Sequence, residues 1–492
     1  MFNKITPEKA GISSELVLKF LKTLEKNKFN THSIIMARGN DIFTECYYAP
    51  FTKDFQHRMY SVSKSFVSVA IGFAIQDGLL SLEDKFVDYF KEYENENFDE
   101  KLRSATIRDL LRMESSMEYG VDWFTSGTDD RVETYFRIKS HKNPGTMYSY
   151  DSSASYMLGV IVEKLTKKPF IEYLREKVLD KIGFSKEAYC IKAPGGYSFG
   201  DSGVMCTSRD LLLFARFVLN KGEWNGERIL NAEYLEQATK RQVDNDYFDT
   251  NSYAAHGYGY QIWKTPRDGF AFVGMGDQFA ICDPQTDFIF IINSDNQGRG
   301  PETRTLLYHE LYNTIVENLG EPMEENPQAL DELKKYTSNL KLRCLEDDGT
   351  NSFKNEIDGV RYELEENKMN IEYVQFDFEG NKGILSYKNK QGEKKLYFGI
   401  GYNEFAKFPE EGYSDLVATE WKKGHYYDCA CSAKWTEEKK LKIKVQIIDK
   451  YFGIGVMVFS FKDDLITVKM QKVAENFLKE YEGFTNGKVS GK

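Results

Sequence analysis

Beyond about residue 340 the hydrophobic pattern changes from helical spacing to alternation, and this switch limits the possible folds more than any other feature. Nine short runs alternate apolar and polar residues there: Val360–Leu364, Met369–Phe378, Gly383–Tyr387, Lys394–Gly401, Leu416–Trp421, Tyr427–Trp435, Leu441–Ile448, Val456–Phe461 and Leu465–Met470. Successive side chains of a strand point to opposite faces, so each run has one face to bury. Asn381-Lys382-Gly383, Lys390-Gln391-Gly392 and Lys462-Asp463-Asp464 supply turns between runs. Short strands at near-regular spacing predict an all-β C-terminal domain, a sandwich or a barrel, over residues 341–492. Cys429-Ala430-Cys431 falls inside one run and reads as alternating strand residues, its spacing being too short for a C-x-x-C site. No catalytic constellation stands out in this region; covering a cleft and assembling a homo-oligomer are both open to it.

The first 320 residues read differently. Gly11 to Leu24 has helical spacing, and Ser33–Arg38 and Asp41–Tyr48 form a hairpin about Gly39-Asn40. Helical patterns follow over Ser63–Ile75, from Tyr156 to Ile161 and over Ser208–Asn220. Tyr258–Trp263, Phe270–Cys282 and Phe288–Ser294 return to strand patterns, with Pro284–Asp287 as a turn, and Pro301–Leu319 closes the region as a helix. Strands at both ends with helices between predict an α/β (α+β) domain, an antiparallel sheet flanked by helices, over residues 1–320. The polar, acidic stretch 321–340, with Glu321-Pro322 and Asn326-Pro327 as breakers, is expected to be a linker.

Within this first domain, Ser61-Val62-Ser63-Lys64 opens the apolar helix that runs to Ile75. Residues three apart share a helix face, so the Ser61 hydroxyl and the Lys64 amine can meet within one turn. An amine held there and partly desolvated can act as base for an alcohol that is otherwise a poor nucleophile. Taken alone, the tetrad also fits an N-cap serine followed by an exposed lysine. Ser338-Asn339-Leu340-Lys341 repeats the spacing without an apolar helix after it.

Four stretches in order make the tetrad specific: His57–Phe66 around Ser61, Asp77–Asp84, Thr106–Met113 and Pro144–Tyr150. Together they resemble the serine beta-lactamase-related hydrolases, over roughly residues 5 to 318, and most of all the class C-like esterases and the 6-aminohexanoate-dimer hydrolase type of amidase. The resemblance implies Ser61 as nucleophile, Lys64 as base and Tyr150 as the tyrosine that relays a proton to the leaving group; Tyr148, two residues earlier, is the rival for that last role. It implies backbone N–H groups of Ser61 and Asp277 as the oxyanion hole, with Gly274 and Gly276 on the strand that lines the site. Tyr119 and Trp123 fall where related hydrolases border the substrate pocket, although aromatic core residues beneath a loop fit equally well. Two departures bear on substrate. Ser152 stands where the family often has asparagine, and Gly274-Met275-Gly276 stands where it has Lys-Thr-Gly or His-Thr-Gly. The first leans toward esters over peptide-like amides, and the second removes the basic side chain that would meet a substrate carboxylate.

A literal G-x-S-x-G occurs as Gly196-Tyr197-Ser198-Phe199-Gly200, but Ala193-Pro194-Gly195 precedes it and Asp201-Ser202-Gly203 follows. A nucleophile elbow needs a strand before and a helix after, so this segment is expected to be a glycine-rich loop. The six histidines are dispersed, with no metal or nucleotide motif, so no cofactor and no metal is expected. A net charge of −11 argues against nucleic acid and anionic membrane as partners and suits a neutral or cationic small ester or amide. Seven scattered cysteines and an N-terminus without a signal-peptide core lead to the expectation of a cytoplasmic protein. The alternatives to a turning-over esterase or amidase are a weak beta-lactamase or D-aminopeptidase-like enzyme and a penicillin-binding-type sensor that acylates and stops.

Overall fold

The computed structural model describes residues 2–118, 130–247, 255–411, 424–474 and 477–491. It divides into two compact units, at Lys341/Leu342. The expected strand Leu416–Trp421 lies outside the described residues, as do Tyr119 and Trp123.

The first unit is built on a seven-stranded sheet ordered Asn3–Lys4, Asp41–Tyr47, Thr31–Arg38, Phe288–Ser294, Gln278–Asp283, Phe270–Gly274, Trp263–Lys264. Its neighbours are antiparallel except at the edge, where Asn3 and Lys4 run parallel to Asp41 and Ile42, so the sheet is mixed. The central strand Phe288–Ser294 is buried along its whole length because helices cover both faces. One face receives Val17, Phe20, Leu21 and Leu24 of helix Ser14–Lys26 and Leu307, Leu311 and Ile315 of the closing helical segment. On the other face lies Ser208–Leu219, whose start is fixed by a capping box between Thr207 and Asp210. Phe214 of that helix meets Phe272 of the sheet on one side and stacks on Phe66 on the other, at a centroid distance of 3.8 Å. Helix Ser63–Gln76 is thereby the second layer below the sheet, and every residue from Ser63 to Ala74 is buried. A helix apolar all round has no solvent face, so its position is set from every side.

The stretch expected as a linker carries a helix, Pro327–Thr337, which packs on Ser14–Lys26 and belongs to the first unit. Asn326 caps it, accepting from the Ala329 N–H at 3.1 Å, and Pro327 occupies its first turn. Proline there loses only an N–H that would have had no helical partner. What read as a break is a helix start.

The second unit is a barrel, which decides between the two expected architectures. Strands from Gly392–Ile400 round to Asp428–Glu437 pair in antiparallel succession, and a parallel pairing of Gly399 with Ser432 and Ile400 with Ala433 closes the ring. Burial alternates strictly along Lys382–Asn389, as expected of a strand with one inward face. Cys429 and Cys431 point the same way from Asp428–Glu437 and are both buried.

Candidate active site

Ser61 is delivered by a short, heavily braced path. His57-Arg58 pairs with Met205-Cys206 in a small separate sheet, and the Met59 N–H donates to the Val204 carbonyl at 2.8 Å. The buried Arg58 guanidinium donates to the Ser202 carbonyl and hydroxyl, both at 3.0 Å, and lies over the Tyr60 ring. Tyr60 itself is held at φ 47°, a region that side chains other than glycine rarely occupy. Such a conformation persists only where the surroundings over-determine it. The chain then makes one tight turn over Tyr60–Val62 and enters helix Ser63–Gln76, leaving Ser61 partly exposed at the top.

Lys64 lies one turn below. Its amine donates to Ser61 Oγ at 3.0 Å and to the Asp201 carbonyl at 2.8 Å, and the residue is 1% exposed. In the sequence the second contact has no signal beyond the glycine-rich Gly200–Gly203 loop. Tyr150 faces Lys64, with Nζ 5.2 Å from the ring centroid. It is half-buried and stacks on Trp263 at 5.7 Å. Tyr150 sits directly before Asp151, the cap of helix Ser152–Thr166, whose carboxylate accepts from the Ser153 and Ala154 N–H groups and from the Ser115 hydroxyl. Tyr148, by contrast, is buried in a small cluster with Met113 and Tyr258. Ser152 is half-buried in the first turn of that helix.

The strand Phe270–Gly274 closes the other side of Ser61. A methyl group on Gly274 would fall 2.3 Å from the Met59 carbonyl, so only glycine lets this strand and the Tyr60–Val62 turn approach this closely. Met275 and Gly276 turn the chain, and Asp277 follows at φ 67°. Asp277 is buried; its carboxyl is raised above the usual carboxylate range by burial, against the opposing pull of Arg304, a hydrogen bond from Asn296 Nδ2 at 3.1 Å, and Arg299. The turn is held from below: Gln278 Nε2 donates to the Met275 and Ser294 carbonyls, and the Ser294 hydroxyl donates to the carbonyls of Gly276 and Asp277.

The structure therefore brings Ser61, Lys64 and Tyr150 together and places Gly274 against the Tyr60–Val62 turn. Ser198 is elsewhere: it is buried, its N–H directed to Glu163, and no helix follows it. Ser338 and Lys341, the second tetrad, are both exposed after a helix end. No group of residues among those described has the composition of a metal site, and no helix of the described residues is long and apolar enough to cross a membrane.

Comparison with known proteins bears on the family and the fold of the first unit. The family model described as Beta-lactamase matches residues 20–312. A 6-aminohexanoate-dimer hydrolase of Paenarthrobacter ureafaciens is 25% identical over 309 residues, covering 58% of this chain and 77% of that protein. Among solved structures, one from Bacillus anthracis, provisionally assigned as a 6-aminohexanoate-dimer hydrolase, superposes with a TM-score of 0.53 at 20% identity, over 66% of this chain and 89% of that one. A hydrolase with promiscuous acyltransferase activity superposes with a TM-score of 0.51 at 14% identity, over 61% of this chain and 99% of that one.

Proposed function

The chain belongs to the beta-lactamase family, a family of hydrolases, and on that premise we propose that it is a cofactor-independent serine hydrolase that cleaves a small ester or amide through an acyl-enzyme on Ser61. The observation that carries this reading is the 3.0 Å contact between Lys64 Nζ and Ser61 Oγ at the mouth of a buried helix. In its neutral form Lys64 takes the Ser61 proton as Oγ attacks the substrate carbonyl carbon. The carbonyl π pair moves onto oxygen, and the N–H groups of Ser61 and Asp277 stabilise the charge that develops there. Collapse of the tetrahedral adduct expels the alcohol or amine, which receives its proton through Tyr150. Water then attacks the ester on Ser61 and gives up a proton to the same relay; the second tetrahedral adduct collapses, breaking the bond to Oγ, and Ser61 takes that proton back as the acid leaves.

The relative from Paenarthrobacter ureafaciens supports amide cleavage and Ser152 leans toward esters over peptide-like amides, while the Gly274-Met275-Gly276 turn supports a neutral or cationic substrate over a carboxylate-bearing one. The test is steady-state hydrolysis of short-chain p-nitrophenyl esters and anilides by wild type and Ser61→Ala, with a fluorophosphonate adduct mapped by mass spectrometry. Turnover lost with Ser61 and an adduct on Ser61 are expected. An adduct on Ser198, or turnover indifferent to Ser61→Ala, would overturn the assignment; one burst without turnover would make the protein an acylating sensor.

A further inference from the structure

Gln261 is buried, 1% exposed, and sits at φ 58°. Its hydrogen bonds reach three segments that meet at the site. Its carbonyl accepts from the Ser65 hydroxyl at 2.9 Å, one residue beyond Lys64. Its side-chain amide donates to the Leu110 and Leu111 carbonyls at 2.9 and 3.1 Å, and its backbone N–H also donates to Leu111. Its Oε1 accepts from the Ser155 hydroxyl at 2.5 Å. Carbonyls only accept, so the NH2 must face Leu110 and Leu111, and Oε1 must face Ser155. The amide has one orientation, and all three side-chain partners are spoken for.

Each partner leads to Tyr150 or Lys64 within a few bonds. Ser155 lies in the first turn of the helix that Asp151 caps, immediately after Tyr150. Leu111 precedes Met113, whose carbonyl accepts from the Ser149 N–H at 2.9 Å and whose Sδ lies 3.2 Å from the Asp151 N–H. Two residues past Gln261, Trp263 stacks on the Tyr150 ring. Glycine would reach φ 58° without strain but has no side chain to tie these segments, and a leucine would leave Ser155 and two carbonyls facing methyl groups.

We infer that Gln261 is a positioning residue for the reaction: it fixes Tyr150 relative to Lys64, its backbone carbonyl holding helix Ser63–Gln76 through Ser65 while its side-chain amide ties the helix that follows Tyr150 to the Leu110-Leu111 carbonyls. This rests on the Ser61 acyl-enzyme reading and extends it to a residue that touches neither substrate nor nucleophile. Misplacement of a reacting group by about 1 Å costs on the order of 100-fold in rate, so Gln261→Met should lower the single-turnover acylation rate with a p-nitrophenyl ester by roughly 10- to 100-fold, with KM little changed.

A merely structural role would lower the rate in any background. A role exercised through Tyr150 disappears once the phenol is gone. The experiment is therefore a double-mutant cycle: acylation by Gln261→Met, Tyr150→Phe and the double variant, against wild type. A double variant as fast as Tyr150→Phe alone is the expected result. Full repetition of the loss in the Tyr150→Phe background, or an unchanged rate for Gln261→Met, would overturn the inference. Ser155→Ala removes a single hydroxyl from the same junction and gives a second cycle should Gln261→Met not fold; its expected loss is several-fold, again absent without Tyr150, and a loss that persists there counts against the inference equally. Wild-type turnover indifferent to Ser61→Ala would bring down the underlying reading, and this inference with it, by a separate observation.

Discussion

His57, four residues before Ser61, is packed among Phe51, Phe55 and His32, with ring centroids at 5.3, 4.8 and 5.3 Å. Burial pushes its imidazole down to about 3 from an ordinary value near 6.5. A base whose pKa is lower folded than unfolded favours the fold while both states are neutral, above about pH 6.5. As pH falls through the window from about 6.5 to about 3, only the unfolded chain binds the proton, and stability is lost by up to about 1.4 kcal/mol per pH unit. His57→Phe keeps an aromatic ring and removes the titration. Urea midpoints of the first unit at pH 7, 5.5 and 4.5 should fall more steeply in wild type than in His57→Phe; parallel slopes would mean that the imidazole is charged or hydrated in the folded state. This strand also holds the approach to Tyr60 and Ser61, so acid loss of activity should track acid loss of structure.

At the scale of elements, the hairpin formed by Phe270–Gly274 and Gln278–Asp283 turns beside Ser61 and ties backbone geometry most directly to the proposed chemistry. Its two requirements separate by mutation. Asp277→Gly keeps the N–H and suits φ 67° better than aspartate does, so turnover should stay within several-fold of wild type; a loss of 100-fold or more would show that the carboxyl, not the N–H, is needed. Gly274→Ala forces a methyl group against the Met59 carbonyl, and the strand must retreat from the nucleophile turn. A loss of about 100-fold in kcat with a smaller change in KM is expected, and full activity would mean that the close approach is not used. The same region marks what sequence can carry. The helix that follows Ser61 was legible because its apolar spacing is local, and the strand Phe288–Ser294 because it is a continuous apolar run. The expected strand Phe270–Cys282 is instead two, Phe270–Gly274 and Gln278–Asp283, because Gly276 and Asp277 turn the chain at positive φ. Gln261 was not legible, because its left-handed backbone ends a run that otherwise alternates like a strand, and its partners are 106, 150, 151 and 196 residues away. The helix Pro327–Thr337 was hidden by the same dipeptide that starts it, since asparagine followed by proline serves both a turn and an N-terminal cap.

For the whole molecule, the relevant fact is that, among the described residues, each unit has a large hydrophobic core of its own. One gathers Ala10 to Leu340, the other Phe353 to Leu478 and Tyr481 with Val489 packed against it. The second is also closed on itself by backbone pairing: its strands form a hydrogen-bonded ring and, among the described residues, Glu404–Lys407 alone lies outside the closed circuit, attached to Asp428–Glu437. A sheet that closes leaves few unpaired edges to aggregate, and a core drawn wholly from one unit does not need the other to be buried. Residues 342–492 expressed alone should therefore unfold cooperatively in urea, with a slope of about 1–3 kcal/mol per molar. Phe376 supplies the sharpest check. It is fully buried and meets Phe459 edge-on at 4.9 Å and Phe461 at 5.9 Å, so Phe376→Ala leaves a cavity that costs about 3–5 kcal/mol. The stability of a unit this size is about 5–15 kcal/mol, so the variant fragment should lose a large share of it, and its urea midpoint should fall well below that of the wild-type fragment with the slope unchanged. A wild-type fragment without a cooperative transition would show instead that the barrel folds only when the first unit is attached.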